Sequence, residues 1–290
     1  NRNGDYLPGI ALPKSLTAST DVSEVLAGAT QVYISVPSQS LRANLEDWGS
    51  QIPVSAIIVS LMKGVEKDSG LRMSEVIQQA IGTSADKICV VSGPNLSLEI
   101  AAEEPTASVA SSISEETRTA VAEAASNEYF TTFTNNDVVG TEFGGILKNL
   151  IAVAIGIVNG VGYGENTKAS IMTRGLAEIS RFAVAYGAKP NTMVGLAGLG
   201  DLIATSESPL SRNHKAGEML GKGFTRGEVL KRMSQTAEGL SSVAPVLQLA
   251  AAKGVSMPIV EQVQLVLEGK MNPRDIAPHL MGEDEEPQGE

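Results

Sequence analysis

The sequence has one cysteine and two histidines in 290 residues, too few soft ligands for a structural zinc site. The single thiol, Cys89, excludes an internal disulfide and lies in an apolar run, so a cytoplasmic setting is expected. Basic residues are in deficit: 22 Lys and Arg stand against 33 Asp and Glu, a net charge of −11. Phosphate backbones are held by basic surface, so nucleic acid is not an expected partner. Long apolar runs are also missing. The longest, Leu150–Val158, is about half of the roughly 20 residues that a spanning helix needs, so no membrane insertion is expected. No Gly-x-Ser-x-Gly elbow is present, which removes the usual sign of serine-hydrolase chemistry.

What is present suits a globular chain of two domains. Hydrophobic residues make up 42% and charged residues 19%, in a length near the limit for one hydrophobic core. The first part alternates β-branched runs with helical spacing. Strands are predicted at 31–36, 56–61, 88–91, 107–111 and 130–134, and helices at 38–48, 73–81 and 97–103, with another opening at Ser114. This pattern predicts an α/β sheet with parallel strands. Beyond about 135 the strand signal stops, and helices are predicted at 147–158, 167–186, 216–220, 227–234, 243–252 and 259–267, the second capped by Asn166 and stopped at Gly187. The expected organisation is a Rossmann-like nucleotide-binding domain over 1–134 and an all-α domain over 135–281. An acidic, disordered tail over 282–290 is expected to follow.

Three strand ends carry loops able to meet a ligand: Val36-Pro37-Ser38-Gln39, Leu61-Met62-Lys63-Gly64 and Ser92-Gly93-Pro94-Asn95. Open α/β sheets bind ligands at such carboxyl edges, although the same residues also make ordinary turns. Lys148-Asn149 heads an almost wholly apolar helix. Such a lysine is either paired in a dry interior, where it can serve proton transfer, or snorkels to water from the helix end. Gly198-Leu199-Gly200-Asp201-Leu202, Thr205 and Ser211-Arg212-Asn213 suit an anionic ligand, because arginine grips phosphate with two parallel hydrogen bonds. The plainer alternatives are a helix cap for Asp201 and a surface ion pair for Arg212. His214 reads as a surface residue, and His279 lies near the tail.

These strings, in this order, resemble NAD(P)-dependent glycerol-3-phosphate dehydrogenase. Asn3…Tyr6-Leu7-Pro8-Gly9, Pro37-Ser38-Gln39, Lys63-Gly64-Val65-Glu66 and Ser92-Gly93-Pro94 are similar to its N-terminal domain. Glu142…Gly145…Leu147-Lys148-Asn149, Thr173-Arg174-Gly175-Leu176, Gly195 through Leu202, Ser211-Arg212-Asn213 and Ala237-Glu238-Gly239 are similar to its helical domain. The resemblance implies hydride transfer between NAD(H) or NADP(H) and a triose phosphate, interconverting dihydroxyacetone phosphate and sn-glycerol 3-phosphate for glycerophospholipid synthesis. It makes Lys148 the catalytic acid. Substrate contacts fall to Lys63, Gly93, Asn95, Lys148, Asn149, Asp201, Thr205, Ser211, Arg212 and Asn213, and cofactor contacts to Lys63, Ser97, Arg212 and Glu238. No metal is implied, and a homodimer is the expected assembly.

Two departures from the family pattern stand out. Asn95 and Ser97 replace the usual residues of a Gly-Pro-Ser-x-Ala loop, which puts the cofactor contact at Ser97 in question. In addition, no strand and glycine-rich turn precede Asn1, and the chain opens without Met. The expectation is that this segment lies upstream and that the chain without it binds cofactor poorly and is inactive. Competing readings are a dehydrogenase acting on a 3-hydroxy acid or ketopantoate, and a non-catalytic interaction protein.

Overall fold

A computed structural model describes residues 2–233 and 237–277; His279 and the acidic tail lie outside the described residues. The chain divides between Glu142 and Phe143 into two compact units.

The first unit places α1 (Val22–Leu26), β1 (Gln31–Ile34), α2 (Leu41–Trp48), β2 (Ile57–Ser60) and α3 (Met73–Ile81) in succession. β3 (Ile88–Ser92), α4 (Ser97–Ala101), β4 (Thr106–Ser111), α5 (Glu115–Ala125) and β5 (Phe130–Asn135) follow. The sheet has the order β1-β2-β3-β4-β5. One face packs Ile34 and Ile58 with Leu41 and Leu45 of α2 and Met73 and Ile77 of α3. The other packs Val59, Cys89 and Ala110 with Val121 and Ala122 of α5. Both faces are thus buried, which is why β3 reads as a continuous apolar run rather than an alternating one.

Three of the four strand pairs are parallel, as expected of this α/β sheet, and one is not. β3 and β4 run antiparallel, with Val90 opposite Ser111 and Ser92 opposite Val109. The cause is local: α4 ends at Ala101 rather than at the expected Glu103. One five-residue helix is too short to carry the chain back across the sheet. β4 therefore starts at the same edge where β3 finishes. Ser114 caps α5 as the sequence predicts, its side chain accepting from Thr117 N at 3.2 Å.

α6 (Val138–Val161) leads into the second unit, which continues with α7 (Glu165–Ala185), α8 (Pro190–Met193), a π-helical turn (Leu196–Gly200) and α9 (Asp201–Glu207). α10 (Arg212–Gly221), α11 (Arg226–Arg232), α12 (Glu238–Ala252) and α13 (Pro258–Leu267) complete it. α6 opens nine residues before the 147 expected from its apolar stretch, and α7 is capped by Gly164 rather than Asn166. By length and composition α6 is apolar enough to cross a membrane, yet 83% of its most apolar window is buried within the protein. Leu150 through Ile155 have no exposed surface at all, so α6 is the core of the unit.

α13 is held at its amino end by a buried carboxylate. Glu178 of α7 accepts from Ile259 N at 2.9 Å and Val260 N at 3.1 Å. Burial pushes its carboxyl up to about 7, against the downward pull of those two amides and of Arg181, with Glu261 adding to the rise. A carboxyl whose folded pKa is raised favours the folded state fully below its unfolded value. That contribution fades as pH climbs through the folded value. Stability should therefore fall between about pH 4.5 and 7, by on the order of 3 kcal/mol. Thermal melts across this range should show the slope in the wild type and lose it in Glu178→Gln; an unchanged slope in the variant would place its origin elsewhere.

Candidate active site

At the carboxyl edge of β1, β2 and β3 the three predicted loops are stitched together. Gln39 donates to Val65 O at 2.7 Å and accepts from Lys67 N, tying the first loop to the second. Lys63 donates from Nζ to Gly93 O at 3.1 Å, tying the second to the third. Gly93 takes a φ of 141°, and a Cβ there would press on the Ser108 backbone at 3.2 Å. The antiparallel β4 supplies that neighbour. Asn95 Nδ2 donates to Ser108 Oγ, which in turn donates to Ser92 O.

This edge is polar and only partly satisfied. Asn95 Oδ1 and Ser92 Oγ are buried with no hydrogen-bond partner among the described residues. A buried orphan of this kind costs about 1–3 kcal/mol, which is expected of an edge shaped for a ligand rather than for packing. Gly64 and Gly93 keep the backbone low beside it, and half-buried Lys63 adds a positive charge. The two orphans, an amide oxygen and a hydroxyl, can pair with hydroxyl or amide groups of a ligand. Ser97, at the first turn of α4, is exposed.

In the second unit, α6 brings Lys148 to the start of α9. Its Nζ lies 2.5 Å from Asp201 Oδ1 and 2.5 Å from Thr205 Oγ1, and Thr205 donates back to Asp201 at 3.2 Å. All three are buried, Lys148 at 7% exposure and Asp201 at 2%. The snorkelling alternative for Lys148 is thereby excluded. Asp201 is not a cap either: it is the first helical residue of α9, its carboxylate committed to the lysine.

A second polar chain joins α6, α10 and α12. Asn213 Nδ2 donates to Asn149 Oδ1 at 2.8 Å, and Gly239 N donates to Asn213 Oδ1 at 3.0 Å. Ser211 caps α10 by accepting from His214 N. The N–H groups of Arg212 and Asn213, in the first turn of α10, have no partner of the intrahelical kind, as at every helix start. They supply a positive end where Arg212 stands exposed, with no ion pair among the described residues. Among the described residues, the surface ion pair considered for Arg212 is not formed. Half-buried Glu238 opens α12 beside Gly239.

The geometry corrects one reading and adds one. His214 is half-buried rather than a surface residue: its Nε2 has no partner among the described residues, and burial pulls its pKa down. The π-helical turn at Leu196–Gly200 had no counterpart among the predicted elements, although its glycine spacing was visible.

Comparison with known proteins agrees with this layout. A family model described as NAD-dependent glycerol-3-phosphate dehydrogenase N-terminus matches residues 1–118, and its C-terminus counterpart matches 137–278. A glycerol-3-phosphate dehydrogenase [NAD(P)+] from Leifsonia xyli is 62% identical over all of this chain and 78% of its own. One from Corynebacterium diphtheriae is 49% identical over 97% of this chain and 85% of its own. The crystal structure of glycerol-3-phosphate dehydrogenase from Coxiella burnetii superposes with a TM-score of 0.91 at 33% identity, covering 97% of this chain and 86% of that one. A ketopantoate reductase from Ralstonia eutropha reaches a TM-score of 0.53 at 15% identity and shares the fold alone.

Proposed function

The chain belongs to the NAD-dependent glycerol-3-phosphate dehydrogenase family, and we propose that Lys148 is the proton donor of its reaction. The activity is interconversion of dihydroxyacetone phosphate and sn-glycerol 3-phosphate with NAD(H) or NADP(H). Bound nicotinamide cofactor supplies or takes the hydride at the substrate's central carbon. Reduction at that carbon leaves an oxygen that needs a proton, and a side chain must deliver it.

The observation that carries the assignment is the buried ammonium of Lys148, held at 2.5 Å by both Asp201 and Thr205. Two acceptors fix the direction of Nζ, so its proton is presented in one geometry rather than swept through many. In the reverse direction the same nitrogen receives the proton. Arg212, with the free N–H groups at the start of α10, would bind the phosphate, and Asn149 and Asn213 would hold α10 and α12 in register with α6. Ser211 contributes as the cap that opens α10. In the first unit, Lys63, Gly93 and Asn95 would meet substrate and the nicotinamide end of the cofactor, with Ser97, Arg212 and Glu238 as further cofactor contacts. The first unit is the nucleotide-binding domain in this reading, and the second the catalytic one.

The test is steady-state oxidation of NADH and NADPH by the enzyme with dihydroxyacetone phosphate, unphosphorylated dihydroxyacetone and ketopantoate. Turnover confined to the phosphorylated triose is expected; turnover with ketopantoate would contradict the substrate assignment. The same proposal includes a role at the head of glycerophospholipid synthesis, a cytoplasmic setting without membrane insertion, and a homodimer. Light scattering on the purified enzyme checks the last of these: a monomeric mass would remove it.

A further inference from the structure

Lys148 and Asp201 meet because two backbones nearly touch one turn earlier. Gly144 precedes Lys148 by four residues on α6, so the two share a helix face. A Cβ built on Gly144 would stand 2.4 Å from Ala197 O, so glycine alone lets the turn lie this close. Ala197, 1% exposed, precedes Asp201 by four residues in the same way. The turn that joins them is π-helical: Gly200 N donates to Gly195 O, and Asp201 N to Leu196 O, each five residues back. Gly198 closes the turn on its far side, where a Cβ would lie 2.1 Å from Met193 O. Single π turns are rare, and an i→i+5 ring is wider than the α-helical one, so the next residue is aimed differently.

We propose that Gly144, Gly198 and the π-helical turn Leu196–Gly200 form a spacer that positions the Asp201 carboxylate on the Lys148 ammonium. They are positioning residues that act through the pair. The inference rests on the reading of Lys148 as proton donor. Its physical content is a distance. To regain ordinary contact at 3.4 Å from a Cβ on residue 144, the Ala197 carbonyl must withdraw by about 1 Å. Asp201 follows one turn along, and its 2.5 Å bond to Lys148 opens to about 3.5 Å, past the useful range for a hydrogen bond.

The experiment compares Gly144→Ala with Gly160→Ala. Gly160 lies twelve residues beyond Lys148 on the same helix, and a Cβ there would stand 2.2 Å from Glu218 O, a clash of the same severity. Both variants should melt at lower temperature. Gly144→Ala alone should lower kcat, by about tenfold, with KM for dihydroxyacetone phosphate within about twofold of wild type, the pattern of a lost transition-state interaction. In an Asp201→Asn background the same substitution should cost no further kcat, because its route of action is already gone. Asp201→Glu should restore part of the kcat of Gly144→Ala, since one methylene spans the opened gap. Should Gly144→Ala not fold, Ala197→Gly replaces it: the change removes volume and loosens the same turn, with several-fold loss of kcat expected and the same dependence on Asp201.

Equal kcat losses in Gly144→Ala and Gly160→Ala, or an undiminished loss in the Asp201→Asn background, would overturn the proposal. A Lys148→Met enzyme with normal turnover would instead overturn the proton-donor reading on which it rests. Loss of turnover in Lys148→Met beside normal kcat in Gly144→Ala would remove the spacer alone.

Discussion

Lys148→Met is expected to lower kcat at least a hundredfold, about 2.7 kcal/mol of transition-state stabilisation. Methionine keeps most of the length and volume of lysine while removing the proton, so the helix around it should repack little. The substitution also strands a charge. Asp201, 2% exposed, loses the ammonium 2.5 Å away, and an uncompensated buried carboxylate costs about 3–5 kcal/mol. A loss of stability alone would mimic a catalytic defect at assay temperature, so the double variant Lys148→Met, Asp201→Asn is the necessary companion. It should regain much of the thermal stability and none of the turnover. Steady-state rates beside thermal melts separate the two effects. Near-normal turnover in Lys148→Met, with only the melt affected, would assign the lysine to the fold.

Arg212→Lys is expected to raise KM for dihydroxyacetone phosphate more than tenfold, at least ~1.4 kcal/mol of binding. The charge survives the exchange, but a lysine presents one point of charge where guanidinium presents a planar fork matched to two phosphate oxygens. Arg212 is exposed at the first turn of α10 with no competing ion pair among the described residues, so little of the effect should come through stability. Unphosphorylated dihydroxyacetone supplies the control. It should be a poor substrate for both enzymes and discriminate little between them. An equal loss on both substrates would mean that Arg212 supports the α10 terminus rather than a phosphate.

Much of the local structure was legible because it is set by near neighbours. α3 runs from Met73 to Ile81 as its apolar spacing predicts, and Ser114 caps α5 through its own side chain three residues on. Strand positions follow from β-branched runs and differ from expectation only at their ends. The start of α6 was missed because Val138–Ile146 is rich in valine, threonine and glycine, which local propensity does not favour in a helix. Tertiary contacts hold it there: buried Glu142 accepts from Ser74 N at 2.9 Å and pairs with Arg72. His214 looked like a surface residue because it stands beside Lys215, whereas its own side chain is half-buried.

The sequence by itself determined the two-part organisation, the three loops at the strand ends and the set of polar residues in the helical half. Each depends on periodicity, turn chemistry or a residue type that stands out against an apolar background. Tertiary structure alone decided which of those residues meet. Lys148 pairs with Asp201 across 53 residues of chain, and Asn149 with Asn213 across 64. Nothing in local spacing encodes such distances. Tertiary structure also decided the reversal of β4, because α4 is too short to return the chain, and the π-helical turn, because Gly144 leaves room for it. Hydrogen bonds in a buried site are fixed by how closely backbones can approach, and that is settled only when helices distant in sequence pack together.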